Sequence, residues 1–174
     1  MSLEYPKPIT HNSKTTTMKY SRLTKEQFES LQAEFANFLA TQQIDKTEWE
    51  EIKKNRPTVA EQELDVFSDL VWEGVLSKAE YLEHFSPQHL FLFKCLESHM
   101  HSIVIRTLDG SVSFLTQEGL QWLGDNLFTE NTEIRQGSKA FGDDRNAEIF
   151  QLIRQGAILS DGELYKKIKS VMPG

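Results

Sequence analysis

Four carboxylates have the type and spacing for chemistry. Glu61, Asp65, Asp69 and Glu73 each lie four residues from the next in the stretch TVAEQELDVFSDLVWEGVL. At that spacing a helix lines them up along one side. Carboxylate oxygens are the hard ligands that a divalent cation such as Mg²⁺ or Mn²⁺ takes. A metal held there would serve a hydrolase of phosphorylated substrates, and Glu48, Glu50 and Glu51 just upstream could complete its ligand set. The same row has a plainer reading. Like charges at this spacing destabilise a helix by roughly 0.2–0.5 kcal/mol per pair. No Lys or Arg lies between Arg56 and Lys78 to offset them, and Asp69 and Glu73 sit toward the end where the helix dipole disfavours anions. Relief must come from solvent, from cations elsewhere in the chain, from a metal or from a partner. Arg145 and Arg154 are the candidate cations. A solvated or salt-bridged face is the commoner fate of a charge run and is the preferred reading.

Other chemistry-bearing residues are sparser. His84, His89, His99 and His101 cluster around Cys95. His99 and His101 would share one side of a strand, a spacing that can hold zinc. No CxxC or HExxH accompanies them, so surface or capping histidines are the expectation. Cys95 lies in the apolar run LFLFKCLE and reads as a buried, inert thiol, with His99 only a nominal base. There is no Walker motif and no GxGxxG, which removes the common nucleotide sites. Gly137 and Gly142 precede a helix start, but Asp143 and Asp144 there would repel a phosphate.

The elements that must position these residues begin with the row itself. Ala60, Leu64, Phe67, Val71 and Val75 form an apolar stripe, and Val59, Val66, Leu70, Trp72 and Leu76 lie off it. A helix apolar on more than one side is central, with neighbours on two faces. Before it, Thr24 with Gln27 opens a first helix, stapled by Leu23 and Phe28 and facing Phe28, Leu31, Phe35, Phe38 and Leu39 inward. Asp45 with Glu48 opens a second, stapled by Ile44 and Trp49 and ending before Pro57, and Thr58 with Glu61 opens the central one. Beyond it, Ser77 with Glu80 predicts a short helix carrying Tyr81 and Leu82, and Ser86-Pro87 another. Ser102–Thr107 and Ser111–Leu115 around Asp109-Gly110 carry a hairpin signal. Thr116 caps a helix with Leu120, Trp122 and Leu123, and residues 131–136 could add a strand. Asp144 caps a further helix, Gly156 suits its end, and Ser160 with Glu163 opens the last. The fold class expected is α+β: a mainly helical single domain over residues 18–174, with a small antiparallel β element in the middle. Residues 1–17 read as a flexible tail, Met-Ser-Leu as a cloning remnant, and Met18 as a natural start.

The stretches MKYSRLTKEQFE, EQELDVFSDLVWEGVL, EGLQWL and DDRNAEIF together resemble a small family of uncharacterised bacterial proteins with a domain of unknown function. The resemblance covers most of the chain after Met18. It implies a cytoplasmic bacterial protein and a dispensable tail, and it carries no catalytic residues over.

Composition narrows the classes. The net charge of −7 at pH 7 argues against a nucleic-acid surface, which needs an excess of Lys and Arg. The last two helices resemble a helix-turn-helix in outline, with Lys166, Lys167 and Lys169 on the second, but acids balance them. The single cysteine excludes an internal disulfide and fits a reducing cytoplasm. No apolar run is long enough for a bilayer, and the N-terminus lacks the apolar core of a secretion signal. The expectation is a soluble, non-enzymatic interaction or regulatory module. It would take a protein partner or self-associate, and would need no cofactor. The metal-dependent hydrolase on the acid row is the alternative.

Overall fold

The computed structural model describes residues 18–173, so the expected tail lies outside the described residues. The chain falls into two compact units that meet between Gly74 and Val75.

The first unit is helical. Thr24 Oγ1 accepts from Gln27 N at 3.2 Å, and Gln27 Oε1 accepts from Thr24 N at 2.8 Å. This reciprocal cap satisfies two backbone donors that a helix start leaves open. It begins α1 (Lys25–Ser30). Leu31, with φ −113° and ψ 26°, breaks the expected single helix, and α2 (Gln32–Thr41) follows. Asp45 caps α3 (Lys46–Asn55) by accepting from Glu48 N at 2.8 Å. The long helix α4 (Pro57–Ser77) starts two residues earlier than a cap at Thr58 would have it. Proline suits the first helical turn because it lacks the N–H that would go unpaired there.

Phe67 is almost wholly buried and sits 5.0 Å from the Phe35 ring and 5.3 Å from the Phe38 ring, centre to centre. Leu23, Phe38 and Leu39 complete this core, with Phe28, Leu31, Trp49 and Val71 packed around it. The expected stripe holds through Ala60 and Phe67 and fails at Val75, which is exposed. Two polar residues share the buried side. Ser68 Oγ donates to Leu64 O, and Glu63 accepts from Gln42 Nε2 at 2.8 Å.

The second unit is built on a five-stranded antiparallel sheet in the order β4-β3-β2-β1-β5. Its strands are β1 (Tyr81–Phe85), β2 (His89–Cys95), β3 (His99–Thr107), β4 (Thr132–Ala140) and β5 (Ile158–Ser160). The fold is thus α+β, with a sheet larger than the small element expected. Tyr81 and Leu82 lie on β1, not on a helix, and Ser86-Pro87 leads into a turn. The run Leu90–Phe93 is apolar on both sides, so periodicity alone did not separate a strand from a helix. Asp109-Gly110 does not close a hairpin. Asp109 Oδ1 accepts from Ser111 N at 2.9 Å, and the chain runs into α5 (Gln117–Asn126), capped by Thr116.

Register fixes two faces. Leu90 pairs with Ile105 and Leu92 with Ile103. Their face forms the main core with Phe114, Leu123, Tyr165 and Ile168, carried by the loop before α5, by α5 and by α7 (Glu163–Val171). Between them α6 (Arg145–Arg154) is capped by Asp144 as expected. Strand β5 separates α6 from α7 and replaces the helix-turn-helix outline. The start of α7 falls to Gly162, not Ser160. With φ +80°, any Cβ at that residue would come within 2.5 Å of the Tyr81 ring. Among the described residues no helix is long and apolar enough to cross a membrane.

Candidate functional site

The acid row is already a binding site, and its occupant is the chain's own segment before α1. Asp69 accepts from two backbone amides, Lys19 N at 2.8 Å and Tyr20 N at 2.9 Å, one on each oxygen. Glu73 accepts from the Tyr20 hydroxyl and from Lys19 Nζ at 3.3 Å. Arg22 donates through Nε to Asp65 at 2.7 Å and through Nη1 to Glu61. Leu23 N donates to the buried Ser68 Oγ at 3.1 Å. The segment runs opposite to α4: Lys19 and Tyr20 meet Glu73 and Asp69, and Arg22 meets Asp65 and Glu61.

This arrangement answers the charge problem that the row poses. The offsetting cations are Lys19 and Arg22, ahead of the first helix. Arg145 instead binds backbone carbonyls within its own unit, and Arg154 closes the last turn of α6. Burial, followed by the hydrogen bond to Glu73, pushes the Tyr20 phenol up to about 12. The Asp65 carboxylate beside it raises the Arg22 guanidinium further. In the sequence Lys19, Tyr20 and Arg22 stand out only as the natural start after a tail and as part of the family resemblance in MKYSRLTKEQFE. Their signal was the tight grouping of cations in MKYSR ahead of a row of uncompensated acids. A cavity of about 20 Å³ remains beside Asp65 and Asp69, lined also by Met18, Gln62 and Val66.

In the second unit the histidines do not converge. Antiparallel partners share a face, so His84 with Phe91, His89 and Cys95 lie on one side of the sheet. His101, paired with Lys94, and His99 two residues before it lie on the other. Among the described residues no group of three or more His, Cys, Asp or Glu is placed to hold a metal ion. Cys95 is buried, and that burial pushes its thiol up to about 11 against the opposing pull of Arg145.

Arg145 is the most heavily used cation of this unit. Its Nε donates to Leu96 O at 2.8 Å and its Nη1 to Leu76 O at 3.0 Å. Its Nη2 donates to Ala79 O at 2.7 Å and reaches Cys95 O at 3.5 Å. The guanidinium lies 5.6 Å from the Phe141 ring centre. It borders an open cleft of about 480 Å³ shared with Ser77, Glu80, Glu97 and Asp143. With the guanidinium turned to carbonyls, the cleft presents Lys78 beside the acids Glu80, Glu97, Asp143 and Asp144.

The remaining feature is apolar. Leu115 is 61% exposed and Phe128 57%, at the two ends of α5. Leu115 and Leu120 occupy the positions that bracket a helix start as a hydrophobic staple, yet both stay exposed. Leu108, also exposed, donates its amide to Asn131 O at 2.8 Å, which brings it to the Phe128 end. Residues 107–134 contain no Lys, Arg or His but five acids: Asp109, Glu118, Asp125, Glu130 and Glu133. These exposed apolar groups therefore sit in an acidic surround.

No curated protein and no solved structure matches this chain. A family model does match, over residues 18–173, which begins at the segment clasped by the acid row and includes every feature described above. The chain belongs to that family, DUF6495, a family of unknown function.

Proposed function

We propose that the protein is a non-enzymatic interaction module that docks a protein partner on the α5 face of its second unit. The observation that carries this reading is the exposed set Leu108, Leu115, Leu120 and Phe128 within a stretch that has five acids and no cation. The matching partner is a segment with apolar side chains flanked by Lys and Arg. Charge complementarity of this kind raises association rates and selects among partners. The net charge of −7 supports a protein partner over a nucleic acid.

The test is a titration with two fluorescein-labelled helical peptides of identical leucine spacing, one carrying lysines and one glutamates. The lysine peptide should bind at least roughly tenfold tighter, a difference of about 1.4 kcal/mol. The pair Leu115→Ser and Phe128→Ser should remove that binding while leaving the melting temperature unchanged, since both side chains are exposed. Equal binding of the two peptides, or binding that survives the double variant, would sink the reading.

A divalent-metal-dependent hydrolase built on Glu61, Asp65, Asp69 and Glu73 is the competing reading. The small cavity beside Asp65 and Asp69 favours it, being large enough for a water-sized occupant. Against it, among the described residues no three such acids are placed to hold a metal ion, and a metal would have to displace the amides and cations of residues 19–22. Mg²⁺ or Mn²⁺ that binds the folded chain must raise its melting temperature. A rise abolished by Asp69→Asn would decide for the hydrolase.

A further inference from the structure

The outer edge of the sheet at β4 differs from its other edge. Strand β5 is three residues long, whereas β4 is nine and keeps an unbroken one-to-one register with β3 from Thr132 to Ala140. Residues 135–140 are all exposed, and among the described residues no strand pairs with the outer side of β4. Natural edges are blunted by shortness, proline, a bulge, a covering element or charged side chains. Of these strand β4 has only charges, Glu133, Arg135 and Lys139, and its backbone groups on that side are open to a strand whose charges match.

We propose that β4 pairs antiparallel with β4 of a second copy, in the register centred on Gln136. Charge selects both the occupant and the register. Centring on Gln136 overlaps all nine residues and sets Glu133 opposite Lys139, Thr132 opposite Ala140 and Arg135 opposite Gly137. Shifting the centre to Gly137 sets Arg135 against Lys139, and shifting it to Arg135 sets two arginines face to face. Opposite charges across a strand pair stabilise it and like charges destabilise it. The strand is therefore self-complementary in one register and self-repelling in its neighbours, as a two-fold interface requires. This inference is independent of the α5 reading, because it concerns a different surface and a different partner.

The sequence makes the test clean. Cys95 is the single cysteine and is buried, so an introduced surface cysteine is the one accessible thiol. Sedimentation equilibrium of the unaltered chain should give twice the 20.1 kDa of one copy. Under mild oxidation Gln136→Cys should form a disulfide-linked dimer, since paired residues sit about 4.5–5.5 Å apart, within disulfide reach. Ser138→Cys should not, because in this register each copy of residue 138 faces residue 134. Gln136→Glu keeps an acceptor for Lys169, which now donates to Gln136 at 2.7 Å. It sets two carboxylates opposite each other and should weaken the dimer by up to roughly fivefold. A single-copy mass at the highest soluble concentration would overturn the proposal. So would a dimer in which Ser138→Cys crosslinks and Gln136→Cys does not.

Discussion

The acid row of the first unit and Arg145 of the second are mirror images in their use of charge. In the row, Asp69 collects two backbone N–H groups, from Lys19 and Tyr20, and its neighbours collect side chains. At Arg145, a guanidinium collects backbone carbonyls, from Leu76, Ala79, Cys95 and Leu96. Each feature looks at first like chemistry, and each holds irregular chain in place. The difference lies in distribution. The row spreads its hold over four acids and a continuous segment, mostly at the surface. Arg145 concentrates its hold in one side chain. The first should therefore fail by degrees and respond to salt, and the second should fail at once.

Four measurements break or sharpen that contrast, all but one readable by denaturant titration. The largest effect concerns the ground on which the row stands. Phe67 is 2% exposed, and Phe67→Ala should cost roughly 3–5 kcal/mol. A near-neutral result would mean that the first unit does not rest on its aromatic core. Next comes Arg145→Leu, which strips four carbonyls of their donor. With hydrogen bonds to charged groups each worth about 1.5–3 kcal/mol, the loss should be at least about 2 kcal/mol. Arg145→Lys should recover only part of it, because an ammonium lacks the planar fork. Full rescue by lysine would reduce the site to simple charge.

The row should respond more mildly. Asp69→Ala removes the acceptor of two backbone amides and should cost about 1–2 kcal/mol. Arg22→Ala removes exposed pairs and should cost about 1 kcal/mol or less, an effect that shrinks further in high salt. If Arg22→Ala proved the costlier of the two, the clasp would be held by ion pairs and not by backbone bonds.

The last effect is alkaline. In the folded chain the Cys95 thiol is raised from 9.0 to about 11 and the Tyr20 phenol from 10.0 to about 12. Each group thus holds its proton in the folded state after the unfolded chain has lost it. Stability must then fall as pH rises, from about 9 to 11 for Cys95 and from about 10 to 12 for Tyr20. A series of melts from neutral to high pH should show that decline, and Tyr20→Phe should flatten its upper part. An unchanged slope in Tyr20→Phe would exclude the phenol from the effect.

The helical first unit was largely legible, because caps are local. Thr24 with Gln27 and Asp45 with Glu48 announce helix starts within a few residues. The break at Leu31 was not, since nothing in ESLQAEF marks it. The sheet was harder. Leu90 and Leu92 are buried and Phe91 and Phe93 half-buried, and a continuous apolar run carries no period. Asp109-Gly110 misled because the aspartate turns the chain with its own side chain, a device that serves a loop as well as a hairpin. Of the site, the four acids and their need for compensation could be read directly. The identity of the compensator could not. It arises from a segment some fifty residues away, and part of its hold is through backbone amides, which side-chain pattern does not reveal. Arg145 was named for the wrong task. An arginine next to a helix cap looks available, and only the fold shows that carbonyls surround it.

The clasp also governs how the chain is cut. Trypsin cleaves after Lys and Arg, and it needs several residues of extended backbone free to enter its cleft. The bonds after Lys19 and Arg22 are its natural targets at this end of the domain, but their flanking amides are tied to Asp69 and Ser68. The rate of cutting there becomes a gauge of how often the segment lifts off α4. Cutting after Arg22 reads the core as well, because the next residue, Leu23, is buried in it and must leave to enter the protease.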